Sequence, residues 1–323
     1  MTPVGEVLRS HVLQSGWPGP RLVVLGGVHG DETCGTVAIE RVRTALETGR
    51  LQLRRGELSL VPVANPLARQ HGRREGERNL NRSFQPDPQP ADHEARITNL
   101  LCPLLARHDV LLDLHSFQSA GAPFAMIGPR DNAGALEPFA RAFEEGQLAL
   151  HLGTGCVVEA WLEVYAARLA RCGQGGDARA LAFGWGTNEY MRSQGGYAVT
   201  LECGQHLDPA APEVAYRAIL AALALLGMAG STPVPPAHPR LLRLVDVVDR
   251  QAEGDRLVHA WTSFDAVRQG QTIGLRADGQ AVVAPCDGAI VFPNAEALPG
   301  SEWFYFAVDS ERRLDAPGPT PAP

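Results

Sequence analysis

The sequence predicts an α/β fold, helices packed on a largely parallel or mixed sheet, followed by a small C-terminal β domain. Three observations carry this reading. Through the first two thirds of the 323 residues, short apolar strands alternate with stretches of helical pattern. "MAGSTPVPPAHPR", residues 228–240, then breaks the pattern with a proline-rich linker. Beyond it come short strands and turns, among them "LLRLVDVVDR", "QTIGLRADGQAVVAP" and "EWFYFAVDS". The predicted divisions are a first domain over residues 1–230, a linker over 231–239, a β domain over 240–312 and a disordered tail over 313–323.

The strands of the first domain are expected at Arg21–Leu25, Glu57–Val63, Val110–Leu114, Ala122–Ile127 and Tyr197–Glu202. Helical patterns cover Thr33–Leu46, Ala91–Leu105, Leu136–Leu148 and Pro212–Leu226. No apolar run reaches the length of a membrane span, and the first ten residues lack a signal-peptide pattern. A net charge of −7 argues against a nucleic-acid partner. Six cysteines without CxxC spacing suit reduced thiols in a cytoplasm. All 29 basic residues are arginine. The absence of lysine excludes P-loop phosphate binding, Schiff-base chemistry and a biotinyl carrier, although "APCDGAIVFPNAEALPG" has something of a carrier module's pattern.

Chemistry gathers where predicted strands end. The first strand runs into "GGVHGDETCG", residues 26–35, where His29 and Glu32 stand three positions apart in a glycine-rich turn. Imidazole nitrogen and carboxylate oxygen are both zinc ligands, but one such pair is weak evidence. "VLLDLHSF", residues 110–117, brings His115 to a strand end, with Asp113 two residues earlier on the same face as a partner for its ring. "YAVTLECGQH", residues 197–206, does the same for Glu202. Each element alone suits a structural role. Together they supply two His and one Glu for a metal, an open fourth position for water, and a further Glu as base. The loop "NPLARQHGRREGERNLNRSF", residues 65–84, concentrates five arginines with Asn79 and Asn81, a composition suited to clamping a carboxylate.

"GVHGDE", "NP", "NLNR", "DLH" and "VTLE", in that order over residues 27–202, resemble the signature of the succinylglutamate desuccinylase/aspartoacylase family of zinc hydrolases, relatives of the zinc carboxypeptidases. The resemblance implies a zinc-carboxypeptidase-like mixed sheet, a C-terminal β domain, one zinc per chain and hydrolysis of the acyl amide of an N-acyl amino acid. His29, Glu32 and His115 match the zinc ligands and Glu202 the base. Arg74 matches the arginine that polarises the scissile carbonyl, and Asn81 with Arg82 the pair that grips the α-carboxylate. Arg192, ten residues before Glu202, falls where an arginine for an acidic substrate group is expected. Two departures stand out. Asn79 replaces an aspartate, and the tyrosine that closes the aspartoacylase site has no secure counterpart, Tyr305 reading as a packed strand aromatic. A peptide-cleaving zinc carboxypeptidase and a metal-binding scaffold without turnover are the rival readings. No nucleic-acid or membrane partner is expected.

Overall fold

The computed structural model describes residues 7–174, 176–230 and 238–314. The greater part of the predicted linker (231–237) and of the predicted tail (315–323) lies outside the described residues. The chain opens with β1 (His11–Gln14), β2 (Arg21–Leu25), α1 (Cys34–Glu47), β3 (Glu57–Val61), α2 (Pro66–His71), α3 (His93–Ala106) and β4 (Val110–Phe117). It continues through β5 (Phe124–Met126), α4 (Ala142–His151), β6 (Cys156–Glu159), α5 (Trp161–Arg171), α6 (Ala178–Phe183), α7 (Thr187–Ser193), β7 (Tyr197–Gln205) and α8 (Ala211–Leu225). The C-terminal region adds β8 (Arg240–Asp249), β9 (Arg256–Leu257), β10 (Ala266–Val267), β11 (Thr272–Leu275), β12 (Ala281–Val283), β13 (Gly288–Val291) and β14 (Glu302–Asp309).

One sheet, in the order β1-β3-β2-β4-β7-β5-β6-β8-β14-β13-β10, runs through both regions, and β9, β11 and β12 form a second small sheet. The expected α/β class with a mixed sheet and a C-terminal β region is therefore what the chain adopts. At its centre, β3, β2, β4 and β7 are parallel neighbours, so their carboxyl ends share one edge. Both faces of this centre are covered, which is why its strands read as unbroken apolar runs. Along β2, Leu22 and Val24 join one core with Ile39 of α1 and Ile219 of α8. Val23 and Leu25 join another with Ile97 and Leu101 of α3 and Met191 of α7. The alternation is the period-two geometry of a strand between two helical layers.

The C-terminal region is attached through the sheet, since β8 pairs parallel with β6 and antiparallel with β14. Buried Arg312 secures the join, donating from Nη1 to Gly128 O (2.7 Å) and Glu159 Oε2 (3.0 Å). Helix α4 begins at Ala142 and not at Leu136, because Asn132 and Phe139 bridge each other and hold the intervening residues in a loop. Among the described residues, no helix is long and apolar enough to cross a membrane.

Candidate active site

The site forms where β2, β4 and β7 end. After Leu25 the chain turns through Gly27, whose φ of +59° is open to glycine and strained for other residues. At Gly30 a Cβ would meet the Ala68 carbonyl carbon at 2.0 Å, so only glycine lets the turn pack on α2. That turn presents His29 and Glu32, both buried, to His115 on β4. On β7, Glu202 is the register partner of His115, so the two side chains leave adjacent parallel strands on one face.

His29 Nδ1 lies 2.7 Å from Glu32 Oε1, and His115 Nδ1 lies 2.9 Å from Glu32 Oε2. The outer partners decide which ring nitrogens carry protons. The backbone N–H of Asn81 donates to Asn79 Oδ1 (2.9 Å), which fixes that atom as an acceptor. His29 Nε2, 3.1 Å from the same oxygen, must then be protonated. Burial pushes His29 down to about 4, reinforced by the Arg74 charge, so its ring is neutral at pH 7 and Nδ1 is a bare lone pair. Asp113 Oδ2 stands 2.9 Å from His115 Nε2 in the corresponding place and accepts the Thr187 hydroxyl at 2.5 Å. Burial opposes charge on His115, but Asp113 and Glu32 outweigh it and hold this ring well above the usual histidine range.

The donor atoms of His29, Glu32 and His115 all lie within 4.8 Å of one another. A bare nitrogen facing a carboxylate oxygen is unfavourable unless a cation sits between them, and two imidazoles with one carboxylate are a zinc-type set. The residues thus fit a divalent metal. Beside them Glu202 is buried, its Oε2 has no hydrogen-bond partner, and burial with the Glu32 charge pushes its carboxyl up to about 8. Arg74 enters at the rim, with Nη1 3.3 Å from Glu32 Oε1.

The arginine loop owes its shape to Glu94, a buried carboxylate that accepts the backbone N–H groups of Gly76, Glu77 and Arg78 and the side-chain amide of Asn65. Of its five arginines, Arg78 braces the loop by pairing with Asp92 and donating to Arg82 O, and Arg69 donates to Gly30 O. Arg74 and Arg82 border a cavity of about 570 Å³ that also contains His29, Glu32, His115 and Glu202. Asn81 Oδ1 accepts the Thr187 N–H (2.9 Å), so what Asn81 offers a ligand is its amide N–H₂. Arg192 borders the same cavity from α7 and not from a loop. Its guanidinium is buried against Glu145 (2.8 Å), Glu137 (2.7 Å) and Glu189 (3.6 Å). Tyr305 is packed, as expected for a strand aromatic, and borders the cavity as well.

Three residues take parts that the sequence reading did not give them: Asn79 as the partner of His29, Thr187 as the partner of Asp113 and Asn81, and His206, whose Nδ1 is 2.8 Å from Ser116 Oγ. Asn79 carried a signal as the departure from aspartate in "NLNR", and His206 one by standing four residues after Glu202; Thr187 carried none.

Fold and site together define an α/β protein with a buried His–Glu–His donor set at the carboxyl edge of its central parallel strands. Residues 18–152 match the Succinylglutamate desuccinylase/Aspartoacylase catalytic domain model, which bears out over that stretch the family resemblance read from the motifs. The N-alpha-acetyl-L-2,4-diaminobutyric acid deacetylase of Halomonas elongata is 37% identical over 119 residues, 36% of this chain. That match spans 32% of the relative's own length. Among solved structures, the succinylglutamate desuccinylase/aspartoacylase of Rhodobacter sphaeroides superposes with a TM-score of 0.71 at 20% identity, covering 94% of this chain and 89% of that one. The product-bound ectoine utilization protein of Ruegeria pomeroyi gives 0.69 at 21% identity over 93% and 88%. At such identities the likeness is one of fold, and its coverage takes in the C-terminal β region.

Proposed function

We propose that this protein is a zinc-dependent hydrolase that cleaves the acyl amide of an N-acyl amino acid. The single observation that carries the reading is the pairing, at one strand edge, of three converging metal-type donors with a buried carboxylate left unpartnered. His29, Glu32 and His115 would hold the zinc, which when bound supplies Lewis-acid activation of a water and of the acyl carbonyl. Glu202 takes the proton of the attacking water as its oxygen bonds to the carbonyl carbon. The same proton then passes to the amine nitrogen as the carbon–nitrogen bond breaks, releasing a carboxylic acid and a free amino acid. Arg74, at the rim beside Glu32, faces the developing oxyanion, a contribution worth roughly 3–4 kcal/mol per donor in comparable sites. The Asn81 amide and the Arg82 guanidinium hold the α-carboxylate by charge-assisted hydrogen bonds of about 1.5–3 kcal/mol each.

Peptide hydrolysis by a carboxypeptidase would use similar groups. The C-terminal region argues for small substrates, because Phe292, Glu302 and Tyr305 from it line the same cavity as Glu202. The relatives' names support the amide-hydrolase class. The test is a deacylation screen of the zinc-loaded protein against N-acetyl, N-succinyl and longer N-acyl amino acids, with peptides in parallel. Cleavage of free N-acyl amino acids, and a drop of at least about tenfold in kcat/KM when the α-carboxylate is amidated, is the expected result. Equal cleavage of free and amidated substrates, or preference for peptides, would overturn the reading. His115→Ala should lose stoichiometric zinc by elemental analysis.

A further inference from the structure

The wall of the cavity beside Arg82 is aromatic. Trp161, at the start of α5, packs on Tyr305 of β14 with ring centroids 5.2 Å apart and planes tilted by 36°, and Phe292 meets Tyr305 at 6.3 Å. The Arg82 guanidinium carbon stands 5.2 Å from the Trp161 ring centroid, and Arg82 Nη1 donates to Asn81 O at 2.8 Å. All three rings line the cavity.

Backbone strain is concentrated on this wall. Among the described residues, four that are not glycine have positive φ: Ser83 (49°), Ala160 (76°), Phe264 (78°) and Phe292 (51°). Ser83 follows Arg82, Ala160 precedes Trp161, and Phe292 is itself a wall residue. Phe264 lies behind them, its ring 4.9 Å from Phe124, which in turn is 5.2 Å from Phe292. Left-handed backbone is costly for bulky residues and persists where surrounding structure enforces it, commonly at ligand sites. One of the four is thus a wall residue and two more adjoin residues that line the cavity.

Charge around the wall disfavours an acidic side chain and gives a cationic one a mixed reception. Arg192 is opposed by three carboxylates, so an acidic group approaching it meets a cluster already rich in negative charge. Arg168, also at the cavity, donates from Nε to both oxygens of Asp249 at 3.0 and 2.9 Å. A cationic group would meet Arg82 itself, although Glu302 lines the cavity nearby.

We infer that Trp161, Phe292 and Tyr305 form a subsite for an aromatic or large aliphatic side chain on the substrate amino acid. The inference rests on the proposed function, because the side chain and the α-carboxylate share one carbon. If Asn81 and Arg82 hold the carboxylate, the side chain falls against the wall on which Arg82 lies. The subsite selects against aspartate and glutamate, the residues that Arg192 would have favoured had its charge been free.

Calorimetry on the zinc-loaded full chain with free phenylalanine, aspartate and 2,4-diaminobutyrate reads the subsite directly, without turnover. Phenylalanine should bind at least about tenfold more tightly than either other amino acid, the lower bound for burying such a ring. Trp161→Leu and Phe292→Leu should each shrink that ratio, with melting curves establishing that the variants are folded. Aspartate or diaminobutyrate binding as tightly as phenylalanine, no binding of any of the three, or an unchanged ratio in both folded variants would overturn the inference. Binding of phenylalanine without hydrolysis of its N-acetyl, N-succinyl or longer N-acyl derivatives would leave the subsite standing and sink the amide-hydrolase reading.

Discussion

Two buried, carboxylate-rich clusters border the same cavity and are built on opposite terms. Around Arg192 the polar atoms are closed on one another. Glu145 accepts the N–H groups of Gly128 (2.6 Å) and Ala198 (3.0 Å) and Arg192 Nε, while Glu189 accepts Gly186 N–H (2.8 Å). Around Glu32 they are left open. Glu202 Oε2 and Asp113 Oδ1 have no hydrogen-bond partner, and His29 turns a bare nitrogen toward a carboxylate. Burial alone therefore does not mark a functional site. A satisfied cluster holds the fold, and an unsatisfied one has capacity for a ligand or a proton.

The contrast is broken most directly by exchanging one group in each cluster. Glu202→Gln keeps the shape and removes the group that takes up the proton. Its turnover should fall by roughly 10²–10⁴ while zinc content and melting temperature hold or rise, since an unpartnered buried carboxylate is gone. Turnover within a few-fold of wild type would move the base elsewhere. Arg192→Met should do the reverse. It strands Glu145, Glu137 and Glu189 without their cation, so urea unfolding should register a loss of about 3–5 kcal/mol. A folded Arg192→Met protein with full stability and a raised KM confined to acidic substrates would return Arg192 to the ligand-binding set.

The open cluster was more legible in the sequence than the closed one, for a physical reason. β2, β4 and β7 are buried on both faces, so their apolar runs end abruptly where polar residues begin, and His29, His115 and Glu202 stand at or just beyond those ends. The family resemblance then supplied their order. The closed cluster depends on α7, which buries Thr187, Asn188, Glu189 and Arg192 and so shows no hydrophobic period. Helix α6 has no fully buried side chain, only Ala180 and Leu181 packed in part against α5, and left as little trace. The aromatic wall draws Trp161, Phe292 and Tyr305 from distant parts of the chain, a juxtaposition that only the joined sheet produces. β1 and β6, four residues each, are too short for alternation to distinguish from loop.

A finer test lies in the partner of His29. Asn79 holds the ring by its Nε2 proton, and losing such an outer hydrogen bond lowers metal affinity by about 10–100-fold. Asn79→Ala should show that loss in zinc competition titrations while folding is kept. Asn79→Asp, which supplies the aspartate of the signature that the sequence resembles, should bind zinc at least as tightly as wild type, because a carboxylate accepts the same proton more strongly. Unchanged affinity in Asn79→Ala would mean that Glu32 alone orients His29.

The closed cluster carries one imbalance that pH can reveal. Burial pushes the Glu137 carboxyl up to about 7; Arg192 pulls it back, and the charges of Glu189 and Glu145 push it higher again. In the unfolded chain the same group titrates near 4.5. Between these values the folded protein holds a proton that the unfolded chain has released. Folding is therefore most favoured below about 4.5, and this contribution is lost as pH rises through 7. Every tenfold difference in proton affinity between the two states is worth at most about 1.4 kcal/mol, and the Arg192 pairing offsets part of it. Glu137→Gln keeps an oxygen for Arg192 Nη1 and removes the titration. Between pH 5 and pH 8 the wild type should lose roughly 1–2 kcal/mol more stability than the variant, measured by urea unfolding at each pH. Parallel pH profiles would mean that Glu137 is ionised throughout, its pairing with Arg192 outweighing its burial.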